Sequence, residues 1–211
     1  MRQGKRRKGT LNKRGEEILD VAMKLFAEKG YHNTTLDEVA EAMGVTKAAL
    51  YYYVRNKGEI IRAIMNRSIG RMNKAIALGK SNRSPLERLR EYIRYHVIYA
   101  SENKEDARIL FEQMNALPRT TSESIKRKQK MDDAALQQIL REGVEDGSLA
   151  ISDVKIASYA ILGLCNWTYH WYKPGGRLTP EQIARICLEL IENGYLKKPC
   201  SLKEASGKPA N

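Results

Sequence analysis

Thr35-Leu36-Asp37-Glu38-Val39-Ala40 followed by Gly44-Val45-Thr46-Lys47-Ala48-Ala49-Leu50-Tyr51-Tyr52-Tyr53-Val54 is the stretch that decides the fold. Thr35 with Glu38 three residues on is a capping box, which opens a helix running to Met43. Gly44 ends that helix, Val45 fills the turn and Thr46 caps the next one. A glycine turn between two short helices, with Ala40, Gly44, Val45 and Leu50 small or apolar where the helices touch, is the pattern of a helix-turn-helix between Thr35 and Val54. The face left over on its second helix carries Lys47, Ala48, Ala49, Tyr51 and Tyr52. It combines a cation, small residues that let base edges approach, and two phenols able to bond phosphate oxygens. Lys57 stands in the first turn of the following helix, where the positive end of the dipole adds to its own charge. Two residues also have plainer readings, Thr46 as a helix cap and Tyr53 as a core ring.

Charge distribution points the same way. The 211-residue chain carries a net charge of +12, and its first 80 residues hold 17 Lys and Arg against 8 Asp and Glu, an excess of nine. A positive field concentrated at one end suits a polyanionic partner, nucleic acid or an acidic membrane surface. Residues 1–14, with Arg2, Lys5, Arg6, Arg7, Lys8, Lys13 and Arg14, read as a disordered basic arm that either touches DNA or only solubilises the chain.

Outward from the helix-turn-helix, nearly every segment has a helical period and none alternates like a strand. A first helix places Ile18, Ala22, Leu25 and Phe26 on one stripe and stops at Gly30. Asn56 to Glu59 caps a long fourth helix carrying Ile60, Ile61, Ile64, Met65 and Met72. After a loop over 79–84, Pro85 opens a helix with Leu86, Leu89, Ile93 and Val97. A shorter helix through Leu110, Phe111 and Met114 ends before Pro118. A charged stretch then leads into a helix with Leu136, Ile139, Leu140 and Val144. Asp153 to about Lys173 reads as one helix, apolar nearly all round, buried within the domain or between two subunits. Pro174-Gly175-Gly176 breaks it, and Thr179 starts a last helix with Ile183, Ile186, Cys187, Leu190 and Ile191. The tail from Lys197 is polar. The fold expected is all-α, divided into an arm (1–14), a DNA-binding head (15–60), a larger helical domain (61–196) and a flexible tail (197–211).

Other function classes find little support. Cys165, Cys187 and Cys200 form no CxxC pair and suit small buried hydrophobes in a reducing compartment. No apolar run is long enough to span a bilayer and no signal peptide is visible, so a cytoplasmic protein is expected, with no membrane partner. His32, His96 and His170 are scattered without metal-ligand spacing, and no nucleophile elbow or phosphate loop occurs, so neither catalysis, a metal nor a cofactor is expected.

The stretch from Gly30 to Ala40, with Gly44 to Tyr53 and Asn56-Lys57-Gly58-Glu59, resembles the signature of the TetR family of bacterial regulators almost position for position. The resemblance implies an all-helical homodimer on a near-palindromic double-stranded DNA operator, with a head to about residue 60 and a ligand-sensing, dimerising domain after it. Carried onto this sequence, it has Thr35, Tyr51 and Lys57 holding phosphates. Thr46, Lys47, Ala48 and Tyr52 would lie in or beside the major groove, with Thr34 and Ala49 adjoining them. Leu36, Val39, Leu50, Tyr53 and Val54 would be core. Family members often have Gly where Ala48 stands.

Asn166-Trp167-Thr168-Tyr169-His170-Trp171-Tyr172-Lys173-Pro174-Gly175-Gly176-Arg177 is the most unusual segment of the remainder. Trp167 and Trp171, four apart, can be core or dimer anchors. Alternatively Trp167, His170 and Trp171 with Lys173, Arg177 and the Gly175 and Gly176 amides form one side of a pocket for a large anionic ligand. The segment is similar to the TetR branch that senses acyl-CoA thioesters. That likeness implies a repressor released by an acyl-CoA, its chain lying among Ile93, Phe111 and Met114. Two rivals stand beside this reading: an efflux regulator answering to a hydrophobic drug, and an architectural DNA binder that senses nothing.

Overall fold

Residues 13–78 and 82–193 are described by the computed structural model, and among them every regular element is helical. Helix α1 (Lys13–Lys29) buries Ile18, Leu19, Ala22 and Phe26 on one stripe and stops where Gly30 takes φ +90°, a conformation that favours glycine. Lys13 and Arg14, expected in the arm, begin this helix, and Arg14 pairs with Glu17 at 2.7 Å. The rest of the arm, residues 79–81 and everything from 194 on, including Cys200, lie outside the described residues.

The capping box of α2 (Leu36–Ala42) forms in both directions. Thr35 Oγ1 accepts from the Glu38 N–H at 3.2 Å, and Glu38 Oε2 accepts from the Thr35 N–H at 2.8 Å. Gly44 turns the chain at φ +63°, and Thr46 caps α3 (Lys47–Tyr53) by accepting from the Ala49 N–H at 3.2 Å. Helix α4 (Lys57–Leu78) follows, and Arg67 on it reaches back to Asp20 at 2.7 Å and Glu16 at 3.2 Å on α1. Ile18, Phe26, Val39, Leu50, Ile60, Ile61 and Ile64 close one core. Tyr53 does not join it. It is exposed, its ring edge-on to Tyr52 at 5.2 Å, because α3 is short and commits Leu50 to the interior.

The second half comprises α5 (Pro85–Glu102), α6 (Lys104–Glu112), a 3-10 turn over Met114–Ala116, α7 (Arg119–Glu145), α8 (Val154–Asn166), α9 (Thr168–Trp171) and α10 (Pro180–Asn193). Leu89, Tyr92, Ile93, Val97, Leu136, Ile139, Ile161, Cys165 and Ile183 make its core. Two segments differ from expectation. The charged stretch after Pro118 is helical from Arg119, since Thr121, Ile125 and Asp132 continue the buried face of Leu136 at one- and two-turn spacing. The helix expected over Asp153 to Lys173 is interrupted at Trp167, with α9 a single further turn. One face of α8 is buried through Ser158, Ile161 and Cys165, and the other leaves Ile156, Tyr159 and Trp167 uncovered.

The expected boundary at residue 60 falls within α4. The head's core takes in Ile61, Ile64 and Met65 from beyond it, and Ile109, Leu110, Leu117 and Ile125 from α6, α7 and the link between them. Head and second half are therefore packed on one another, not merely joined.

Candidate functional site

On the head, α3 presents Lys47, Ala48, Ala49, Tyr51 and Tyr52 to solvent, with Thr46 exposed at its start and Thr35 exposed at the start of α2. Tyr52 is 85% exposed and Tyr51 44%. Burying a phenol ring is favourable, so rings held out on a short helix are available for another surface. Lys47 Nζ lies 2.8 Å from Asp37 on α2, and that carboxylate raises the lysine's pKa through a hydrogen bond and its charge.

Two residues expected at this surface are elsewhere. Thr34 is 1% exposed, and its hydroxyl donates to the Gly30 carbonyl at 2.9 Å, closing the loop after α1. Lys57 Nζ donates to the carbonyls of Tyr31, His32 and Thr34 at 2.5, 3.0 and 2.8 Å, and lies 4.6 Å from the centre of the Tyr31 ring. An ammonium has three donors, and all three are engaged. Partial burial lowers its pKa. Lys57 thus clamps the α1–α2 loop to the start of α4.

In the second half, α5, α6, α7 and α8 line a mainly apolar, partly open cavity of 140 Å³. Tyr95, Tyr99, Ala107, Leu110, Phe111 and Leu162 line it, together with the polar residues His96, Gln129, Asp132 and Asn166. Sequence reasoning missed His96 and Asp132, although each carries a signal. His96 falls on the buried stripe of Ile93 and Val97, and Asp132 stands one turn before Leu136 on the buried face of α7. A charged, more open cleft of 330 Å³ lies beside α6, lined by Lys104, Glu105, Arg108, Glu112, Tyr169 and His170 with Ala27 and Glu28 of α1. Phe111 lines the first cavity and Tyr169 the second, and their rings stack at 5.7 Å between the two.

The cavity is physically tied to the head. Gln113, two residues beyond Phe111, donates from Nε2 to the Phe26 carbonyl at 2.8 Å and the Ala27 carbonyl at 3.4 Å. Its Oε1 accepts from the Tyr31 N–H at 3.0 Å. One side chain therefore satisfies the end of α1 and the loop that Lys57 clamps from the other side.

The model of bacterial regulatory proteins of the tetR family matches residues 18–64, and the tetracyclin repressor-like C-terminal domain matches residues 82–195. The chain belongs to the TetR family. This TetR-family regulator is 27% identical over 203 residues to the HTH-type transcriptional repressor KstR2 of Mycobacterium tuberculosis, covering 90% of this chain and 96% of that one. Among solved structures it resembles the TetR-family regulator PfmR from Thermus thermophilus, at 30% identity and TM-score 0.77, covering 90% of this chain and 100% of that one. It also resembles AibR, solved in complex with isovaleryl coenzyme A and operator DNA, at 28% identity and TM-score 0.74, covering 84% and 97% of the two chains. Membership makes it a DNA-binding regulator of transcription and not an enzyme. No described helix is long and apolar enough to cross a membrane.

The effector residues expected of this TetR-family regulator are brought together only in part. Phe111 lines the apolar cavity and His170 the charged cleft. Met114 does neither, since the 3-10 turn directs it onto the head's core, and Ile93 is sealed in the second core. Trp167 stacks on His170 at 4.5 Å but remains 56% exposed, and Trp171 is exposed as well. Lys173, Gly176 and Arg177 lie on the surface, and the Gly176 N–H donates to the Lys173 carbonyl at 3.0 Å, so that amide serves a turn and not an anion.

Proposed function

We propose that this TetR-family regulator is a homodimeric repressor that leaves a near-palindromic operator when an acyl-CoA binds its second half. The observation that carries the reading is the apolar cavity whose α6 wall is fastened to the head through Gln113. In this scheme residues 15–60 read DNA and residues 61–196 sense and dimerise. Thr35 and Tyr51 hold phosphates, while Thr46, Lys47, Ala48, Ala49 and Tyr52 face the major groove. Lys47 exchanges Asp37 for DNA, which costs little because an exposed pair is weak.

An unpartnered face of α8 supports the dimer: Ile156, Tyr159, Ala160, Gly163 and Trp167 recur at helical spacing in solvent, and Ile186 of α10 is exposed too. A second copy would bury such a stripe and hold two copies of α3 roughly 34–36 Å apart, one turn of DNA. The neighbour solved with isovaleryl coenzyme A and operator DNA supports an acyl-CoA as effector. The acyl group enters the apolar cavity, pushes on Phe111 and shifts the population toward dimers whose heads no longer match the operator.

A gel shift on the protein's own promoter, with and without a panel of acyl-CoAs, tests this. Release by at least one thioester is the expected outcome. Retarded DNA unmoved by any of them removes the acyl-CoA reading and leaves the DNA reading. A hydrophobic cation is the second reading, favoured by the Asp132 carboxylate in the cavity wall. Release by a quaternary ammonium compound in the same gel would select it.

A further inference from the structure

The apolar cavity contains an ionisable pair that bridges α5 and α7. His96 on α5 and Asp132 on α7 have side chains only 8% and 5% exposed. His96 Nε2 stands 3.3 Å from Asp132 Oδ2 without forming an aligned hydrogen bond, and Asp132 Oδ1 has no hydrogen-bond partner. Both residues line the cavity, among Tyr95, Leu110, Phe111 and Leu162. Tyr92 lays its ring over His96 at 4.4 Å and sends its hydroxyl to the Asp132 backbone carbonyl. Tyr92 also reaches the Asp132 carboxylate, and Gln129 and Asn166 line the same cavity, yet neither Asp132 Oδ1 nor His96 Nε2 has a hydrogen-bond partner. Asp133, next in sequence, is occupied by Ser158 and Gln137. A buried polar atom left unpaired is costly, and buried polar groups are almost always satisfied. An apolar effector that filled this cavity would seal that cost in.

From this arrangement we infer that the effector carries a hydroxyl on a short acyl body, received by Asp132 and His96. A hydroxyl is the small group that serves both partners at once. It donates to a carboxylate oxygen and accepts from an imidazole N–H. An ammonium can only donate, and a ketone can only accept. Size sets the second half of the inference. An engineered cavity of about 150 Å³ takes up benzene, so the 140 Å³ around the pair accommodates a body of about six heavy atoms. The effector class is therefore a short hydroxyacyl thioester. This deepens the acyl-CoA reading and rests on it for the thioester handle, whereas the hydroxyl rests on the cavity alone.

The full-length protein should be titrated calorimetrically with hexanoyl-CoA and with its hydroxy isomers bearing the group at C3, C4, C5 or C6. In parallel, cyclohexanol and cyclohexanone should be compared by ligand-observed NMR, which needs no CoA. The inference requires at least one hydroxy isomer to bind about ten- to a hundred-fold more tightly than hexanoyl-CoA, the range for a hydrogen bond to a charged group. It also requires cyclohexanol to be preferred over cyclohexanone. Asp132→Leu should abolish both preferences, and Asp132→Asn, which keeps an acceptor, should retain part of them. Unchanged circular dichroism and operator affinity would certify each variant as folded.

Thioesters that bind without distinguishing the hydroxyl, or a preference that survives Asp132→Leu, would overturn the inference and leave the acyl-CoA reading intact. No thioester binding, with cyclohexanol still preferred through Asp132, would overturn the thioester handle and keep the hydroxyl site. Failure of both arms would remove both.

Discussion

Replacing Lys57 with Met separates two roles that one lysine at the base of a DNA-binding head could have. In the structure its ammonium bonds three backbone carbonyls, those of Tyr31, His32 and Thr34. A hydrogen bond to a charged group contributes about 1.5–3 kcal/mol when its partner stays dry. This loop is partly open, so water re-solvates most of the freed carbonyls, and the whole clamp is worth about 2–3 kcal/mol. At about 2–4 °C per kcal/mol for a chain of this size, the melting temperature should fall by about 4–12 °C. Operator affinity should keep its dependence on salt. Each phosphate contact adds a slope of about −0.9 to log K against log salt, so a dimer losing two contacts would flatten by about 1.8. The assay is fluorescence anisotropy on the operator between about 50 and 200 mM salt, at a temperature where both proteins are folded. A slope flattened by one or more with an unchanged melting temperature would refute the clamp and return Lys57 to the phosphate backbone.

The same geometry bears on three other side chains. Tyr51→Phe removes one exposed hydroxyl and should weaken operator binding severalfold without moving the melting temperature; equal affinity in a gel shift at moderate salt would exclude that phosphate contact. Gln113→Leu deletes the bonds to Tyr31, Phe26 and Ala27 and should leave effector binding by calorimetry intact while blunting effector-driven release of DNA; unchanged release would show that the signal takes another route. Hydrogen bonds from Lys29 and Thr35 hold Glu38 at a pKa of about 2, below its ordinary 4.5. A depressed carboxylate stabilises above its unfolded pKa and loses that contribution on acidification, so the head should lose stability from pH 4.5 down to about 2. Glu38→Gln should flatten thermal unfolding across that interval, and an unaltered pH profile would reject the assignment.

Where sequence and structure part company, the reason is distance along the chain. Asp132 could be seen in a charged run but not opposite His96, because the two are brought together by the packing of α7 on α5. The rings and cations of 166–177 looked like a pocket when written in a row. A turn break at Trp167 instead leaves Trp167, Trp171, Lys173 and Arg177 on the surface, while Tyr169 and His170 line the charged cleft and Asn166 the apolar cavity. Tyr53 looked like core from its spacing, but a two-turn helix with Leu50 inward has no room for it.

The capping box at Thr35, the helix-opening Pro85, the glycine turn at Gly44 and the 3.6-residue periods of α1 and α5 are all local, acting over four to eighteen residues. For that reason the sequence alone determined an all-helical chain with a helix-turn-helix between Thr35 and Val54 and Lys47, Tyr51 and Tyr52 on its outer face. Tertiary structure decided what the polar side chains do. Lys57 finds its three carbonyls more than twenty residues back, and Gln113 reaches more than eighty residues to α1. His96 and Asp132 come to face one cavity only once four helices pack around them. Such pairings depend on how helices pack and not on any local propensity, and a sequence read in order does not contain them.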